Sequence, residues 1–247
     1  MGDDEQIQVI ELRGGKANAM TTELLDTIER AIDDLERGPA RVGVLVGYER
    51  FFSAGLPLPA LIDLDRSAMQ TFIERFSRAM TRVYAADKPL VAAINGHAIA
   101  GGCVLALMCD WRIMADDAQL KIGLSEAQLG IGLPAIILEP LRAQVQPSAL
   151  IPIALEGKLL APADAVSLGL VHALAPAGEL VAHATARAKQ LAAIPPVAAQ
   201  QIRRALRTPV LEAMARTAQV ETVRWLDTWF SDEGRARLRA AVDKLRS

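Results

Sequence analysis

The chain has 247 residues, 51% of them hydrophobic and 23% charged, with a formal net charge of −2. That is material for one large packed core, and it disfavours disorder and coiled coil. An aromatic content of 4% and the slightly acidic balance exclude a base-stacking or electrostatic nucleic-acid binder.

The N-terminal MGDDEQ lacks a basic region followed by an apolar one, so it does not read as a signal peptide. IQVIEL (7–12) is a short strand-like run ending at Gly14-Gly15. Thr21 or Thr22 can cap a helix whose Leu24, Leu25, Ile28, Ile32 and Leu35 form one stripe, stopped by Gly38-Pro39. VGVLV (42–46) reads as a doubly buried strand. From Asp65, apolar residues at 69, 72, 73, 76, 80 and 83 set a 3.6-residue period that ends near Lys88-Pro89.

LVAAI (90–94) is the next buried strand, followed by an Asn95-Gly96 turn. The near-apolar stretch from Pro89 to Cys109 is interrupted by polar and glycine residues. Its unbroken part, AIAGGCVLALMC, is too short to span a membrane and reads as a buried helix. Cys103 and Cys109 read as buried small hydrophobes, since two thiols make no disulfide framework. WRIMA (111–115) and QLKI (119–122) are further strand signals. Strand–helix–strand repetition predicts an α/β fold with right-handed crossovers and a largely parallel sheet. Beyond Pro195-Pro196 the pattern is wholly helical. Residues 185–247 hold 12 Lys/Arg against 6 Asp/Glu, read either as solvated arginines or as a partner site. The chain is expected to be soluble and cytoplasmic, without a membrane or nucleic-acid partner.

No GxSxG elbow, Walker loop, HExxH or GxGxxG is present, and no Cys/His cluster has metal-ligand spacing. His97, His172 and His183 are scattered among apolar neighbours and read as structural. Chemistry then falls to backbone donors and carboxylates. FFSAGLPL (51–58) and NGHAIAGGC (95–103) each follow a buried strand, where open α/β sheets place ligands. Gly55 and Gly101 permit close backbone approach. The free N–H groups opening the helix at 101 suit a developing negative charge.

KANAM (16–20), FFSAG (51–55), the segment from Lys88 to Ile131 and IPPVAAQQIRRAL (194–206) together resemble the crotonase (enoyl-CoA hydratase/isomerase) superfamily. The resemblance spans nearly the whole chain. It implies a ββα spiral over residues 1–195 and a helical trimerisation region over 196–247, forming a homotrimer or a dimer of trimers. It also implies an acyl-CoA thioester substrate, with CoA as part of the substrate and no separate cofactor or metal. The oxyanion-hole donors would be the N–H groups of Leu56 and Gly101. The backbone at Ala54, Leu56 and Leu58 would hold the adenine end of CoA, with Lys16 near its phosphates.

Hydratases of the family use two glutamates. Here the first position is Val104, in AGGCV, and the second is Glu126, in KIGLSEAQLGI; Pro57 stands where the family often has Asp. Adding water calls for two groups acting on that water, whereas one carboxylate suffices to carry a proton from C2 to C4 of a 3-enoyl chain. Glu126 alone therefore points to a Δ3,Δ2-enoyl-CoA isomerase. The alternatives are a hydratase or other crotonase enzyme with Glu139 as a second acid, and a non-catalytic acyl-CoA-binding protein.

Overall fold

The computed structural model describes residues 6–246, so most of the MGDDEQ segment lies outside the described residues. Strands β1 (Ile7–Glu11), β2 (Val42–Val46), β3 (Phe51–Ser53), β4 (Leu90–Ile94), β5 (His97–Ile99), β6 (Trp111–Ala115), β7 (Ile122–Gly123) and β8 (Ala173–Ala175) divide between two sheets. One has the order β1-β2-β4-β6-β8 and the other β3-β5-β7, with parallel pairing throughout both.

The helices follow the strands in a regular cycle. They are α1 (Thr22–Arg37), α2 (Leu58–Leu61), α3 (Arg66–Ala85), α4 (Gly101–Met108), α5 (Ala135–Gln144), α6 (Pro162–Ser167), α7 (Leu180–Ala192), α8 (Pro196–Trp229) and α9 (Asp232–Arg246). In the middle of the chain each turn lays one strand in the large sheet and one in the small sheet, then adds helix: β2–β3–α3, β4–β5–α4, β6–β7–α5. That repetition is a ββα spiral.

Local chemistry explains the helices that the periodicity marks. The Thr21 side chain accepts from the Leu24 N–H at 3.3 Å and caps α1, which buries Leu24, Leu25, Ile28, Ile32 and Leu35. Asp65 accepts from the Ala68 N–H at 2.8 Å and caps α3, whose apolar stripe packs on α1 and α8. Every residue of β2 and β4 is buried, with α7 packed on both strands. All of α4 is buried, as an apolar run of that length requires.

Three sequence expectations change. FFS and HAI read as loop residues, yet they are strands of the second sheet, too short to show a period of two. The glycine loops therefore leave β3 and β5, not β2 and β4. QLKI contributes only Ile122 to a strand, because the Leu120 N–H turns back to the Asp117 carbonyl at 2.9 Å and the Lys121 N–H donates to His97 Nδ1 at 3.1 Å. The C-terminal arginines are not uniformly solvated: Arg203 and Arg207 are buried. They share Asp110, at 2.9 and 2.8 Å, and so fasten α8 to the end of α4. Burial would raise the Asp110 carboxyl, but the Arg207 and Arg203 charges and the Leu90 N–H hold it below its ordinary value.

Candidate active site

The two glycine loops meet. A Cβ on Gly55 would stand 2.7 Å from the Ile99 carbonyl and 2.9 Å from the Gly101 nitrogen, while one on Gly101 would lie 3.3 Å from the Gly55 Cα. Gly55 also has φ +83°, a conformation that glycine adopts without strain. Just beyond, a Cβ on Gly102 would fall 2.1 Å from the Ser53 carbonyl, so α4 can begin against β3 only with glycine there. Ala100 turns the chain into α4 with φ 51°, an uncommon conformation held in place by its N–H donating to Gly123 at 2.9 Å.

Neither the Leu56 N–H nor the Gly101 N–H has a protein acceptor among the described residues. The helix opening leaves Gly101 unpaired because an α-helix cannot satisfy its first N–H groups internally. These two donors lie on adjoining segments, one on each side of the Gly55–Gly101 contact.

A third segment locks the first loop. Asn18 is fully buried; its Oδ1 accepts from Gly14 N–H at 2.6 Å and its Nδ2 donates to the Phe52 carbonyl at 2.7 Å. The Ala54 N–H donates to Ala17 at 3.0 Å, and the Met20 N–H donates to the Gly55 carbonyl at 2.8 Å. Within the loop, Ser53 Oγ accepts from the Gly55 N–H at 3.1 Å. Sequence reasoning took KANAM only as a matching motif and did not single out Asn18 or Ser53. The available signal was a lone amide in a run of small and apolar residues.

Glu126 opens a one-turn helix, Glu126–Leu129, directly after β7, and is only 7% exposed. Its Oε2 has no hydrogen-bond partner among the described residues. Burial pushes its carboxyl up to about 7, against the lowering effect of a backbone hydrogen bond. It lies near α4: burial and then the Glu126 charge push the Cys103 thiol above its usual range. Val104, the next residue, is fully buried and offers no polar atom. Glu139 faces away from such isolation, pairing with Arg142 at 2.7 Å along α5.

The other predicted residues are spread around the first loop. The Ala54 and Leu58 N–H groups are taken by Ala17 and Leu56, leaving the Ala54 carbonyl and the Leu56 N–H without a partner among the described residues. Lys16 is exposed on the turn Lys16–Asn18. His97 and His172 each accept a backbone N–H through Nδ1, and His183 is an exposed partner of Glu179. The α8–α9 elbow closes over the Glu126 turn. A Cβ on Gly130 would stand 3.3 Å from Gly234 Cα, and the Gly132 N–H donates to Thr228 Oγ1 at 2.9 Å. No group of three or more His, Cys, Asp or Glu among the described residues could hold a metal ion. No helix among them is long and apolar enough to cross a membrane.

Residues 2–242 match the family model described as enoyl-CoA hydratase/isomerase. Human mitochondrial enoyl-CoA delta isomerase 1 is 27% identical over 242 residues, covering 97% of this chain and 80% of the relative. A putative enoyl-CoA hydratase of Thermus thermophilus is 36% identical over 181 residues, covering 72% of this chain and 70% of its own. The crystal structure of human mitochondrial delta3-delta2-enoyl-CoA isomerase superposes with a TM-score of 0.93 at 26% identity, covering 100% of this chain and 96% of that one. The fold is that of the crotonases, and the chain belongs to the enoyl-CoA hydratase/isomerase family.

Proposed function

We propose that the protein is a Δ3,Δ2-enoyl-CoA isomerase in which Glu126 is the sole proton carrier. The observation that carries this reading is the contrast between two positions. Glu126 is a buried carboxyl with an unpartnered Oε2, whereas Val104 fills the place of a hydratase's other glutamate with a dry side chain. The thioester oxygen accepts hydrogen bonds from the N–H groups of Leu56 and Gly101. Those donors are fixed before charge develops, and each such donor is typically worth ~10²–10³ in rate. Glu126 takes a proton from C2, the electron pair delocalises into a dienolate, and the carboxyl returns the proton to C4. The double bond then lies between C2 and C3. An ionisation near neutrality suits a group that must both take and give a proton. CoA enters as part of the substrate, held by the free Ala54 carbonyl with Lys16 near its phosphates, and no further cofactor takes part.

The test is a comparison of 3-enoyl-CoA isomerisation with 2-enoyl-CoA hydration by the purified protein, repeated with Glu126→Gln. Isomerisation should dominate, and the variant should lose ~10²–10⁴ in rate while still binding the thioester. Brisk hydration by the wild type sinks the single-glutamate reading.

A hydratase is the second reading, favoured by the naming of the Thermus thermophilus relative. It would need Glu139 or a bound water in place of the missing carboxylate, and Glu139 is already paired with Arg142. For assembly we propose a homotrimer or dimer of trimers built through residues 196–247. Ile202 and Leu206 of α8 are 53% and 72% exposed and would be covered by a neighbouring copy. Sedimentation as a monomer at micromolar concentration contradicts this.

A further inference from the structure

The C-terminal end of α4 is closed by side chains carrying more positive charge than their surroundings balance. Gln144 Nε2 donates to the Leu107 carbonyl at 2.6 Å, Arg207 Nη1 to Met108 at 3.0 Å and Arg112 Nη1 to Cys109 at 3.0 Å. Arg112 is fully buried. It also donates to the Leu170 carbonyl at 2.8 Å and Gln144 Oε1 at 2.6 Å, and it meets the His172 ring at 3.4 Å. Each of these partners is neutral. The carboxylate nearest in sequence, Asp110, is taken by Arg203 and Arg207. Among the described residues, three buried guanidiniums thus gather at one end of a buried helix, and the one carboxylate there pairs with two of them.

A buried cation without a counter-ion is costly, and its balance must come from dipoles or from an anion further away. Part of it comes from the last carbonyls of α4, the negative end of the helix dipole. At the other end of α4 stands the Gly101 N–H. An eight-residue helix separates the two ends by ~12 Å. We infer that Arg112 is a positioning residue for the reaction. Its charge cancels the negative end of α4 and leaves the positive end at Gly101 undiminished, where the thioester oxygen gains negative charge. This inference rests on the reading of Gly101 as an oxyanion donor. A unit charge acting over ~12 Å at an effective dielectric near 20 changes a rate by about tenfold.

The test uses the full-length protein and a conjugated 2,4-dienoyl-CoA thioester as probe, whose near-ultraviolet band moves to longer wavelength when its carbonyl is polarised. Arg112→Met should shrink that shift and lower kcat for 3-enoyl-CoA about fivefold to tenfold, with KM within about twofold. Arg112→Lys, which keeps the charge, should restore most of both. Gln144→Glu sets a carboxylate against Arg112 without removing it, and should reproduce the loss. It keeps the question answerable if Arg112→Met does not fold. An unchanged band shift and kcat in the folded variants overturns the inference. So does a loss in Arg112→Met that lysine does not rescue and Gln144→Glu does not reproduce, which would assign Arg112 to packing alone. A wild-type protein that binds the probe without any band shift overturns the oxyanion reading itself, and a shift that every variant retains overturns only the role of Arg112.

Discussion

The Asn18 side chain ties the turn that precedes α1 to strand β3, donating through Nδ2 to the Phe52 carbonyl at 2.7 Å. Asn18 sits at φ 51°, a conformation that asparagine tolerates better than most residues. Asn18→Ala removes both of its hydrogen bonds, strips the buried Phe52 carbonyl of its side-chain donor and keeps an unfavourable backbone. The expected cost is about 2–4 kcal/mol in urea unfolding. Turnover by the remaining folded protein should fall as well, because the Leu56 donor loses its support.

Glu126 links function to pH in two measurable ways. As a base it must be ionised, so kcat/KM should rise with pH along an acidic limb centred at about 7. A limb centred near an ordinary carboxyl value of 4.5 would show that burial does not control this group.

The same residue sets a stability difference. Its folded value is raised above the unfolded one, so its contribution is fully favourable below about pH 4.5 and is lost as pH rises through about 7. Glutamine resembles the protonated form and has no such dependence. Glu126→Gln should therefore match the wild type in acid and exceed it by about 3 kcal/mol at pH 8, read from urea midpoints. A variant less stable than the wild type at pH 8 contradicts the account.

Asp110 is the opposite case. Its folded value is lowered, so the stability it gives is present above its ordinary 3.8 and is lost as pH falls through the lowered value. Asp110→Asn strands Arg203 and Arg207 without their counter-charge and should cost about 3–5 kcal/mol at neutral pH. Because α8 hangs from this cluster, hydrogen exchange should show α8 opening before α3 in the variant.

Val104→Glu supplies the second glutamate of the hydratases. It should introduce measurable hydration of 2-enoyl-CoA while lowering stability by several kcal/mol, since the position is fully buried and lacks a partner for a charge. Retained stability with no hydration would mean that the new side chain turns away from the substrate.

Much of this fold is decided locally and is legible in the chain. VGVLV and LVAAI are apolar at every position because both faces of their strands are covered, and they became β2 and β4. The stripes on 22–37 and 66–85 and their caps at Thr21 and Asp65 depend on residues three and four apart. The Glu126–Val104 contrast is likewise a matter of which residue types stand at two positions. What the chain could not disclose depends on contacts between distant segments. The second sheet consists of two- and three-residue strands that exist only by pairing with one another. Arg203 and Arg207 look like solvated charges until the fold brings them to Asp110, across 93 and 97 residues. The need for glycine at 102 arises from the Ser53 carbonyl, which only the packing of α4 on β3 places there. Periodicity records which face of an element is buried, and the tertiary structure alone decides what that face is buried against.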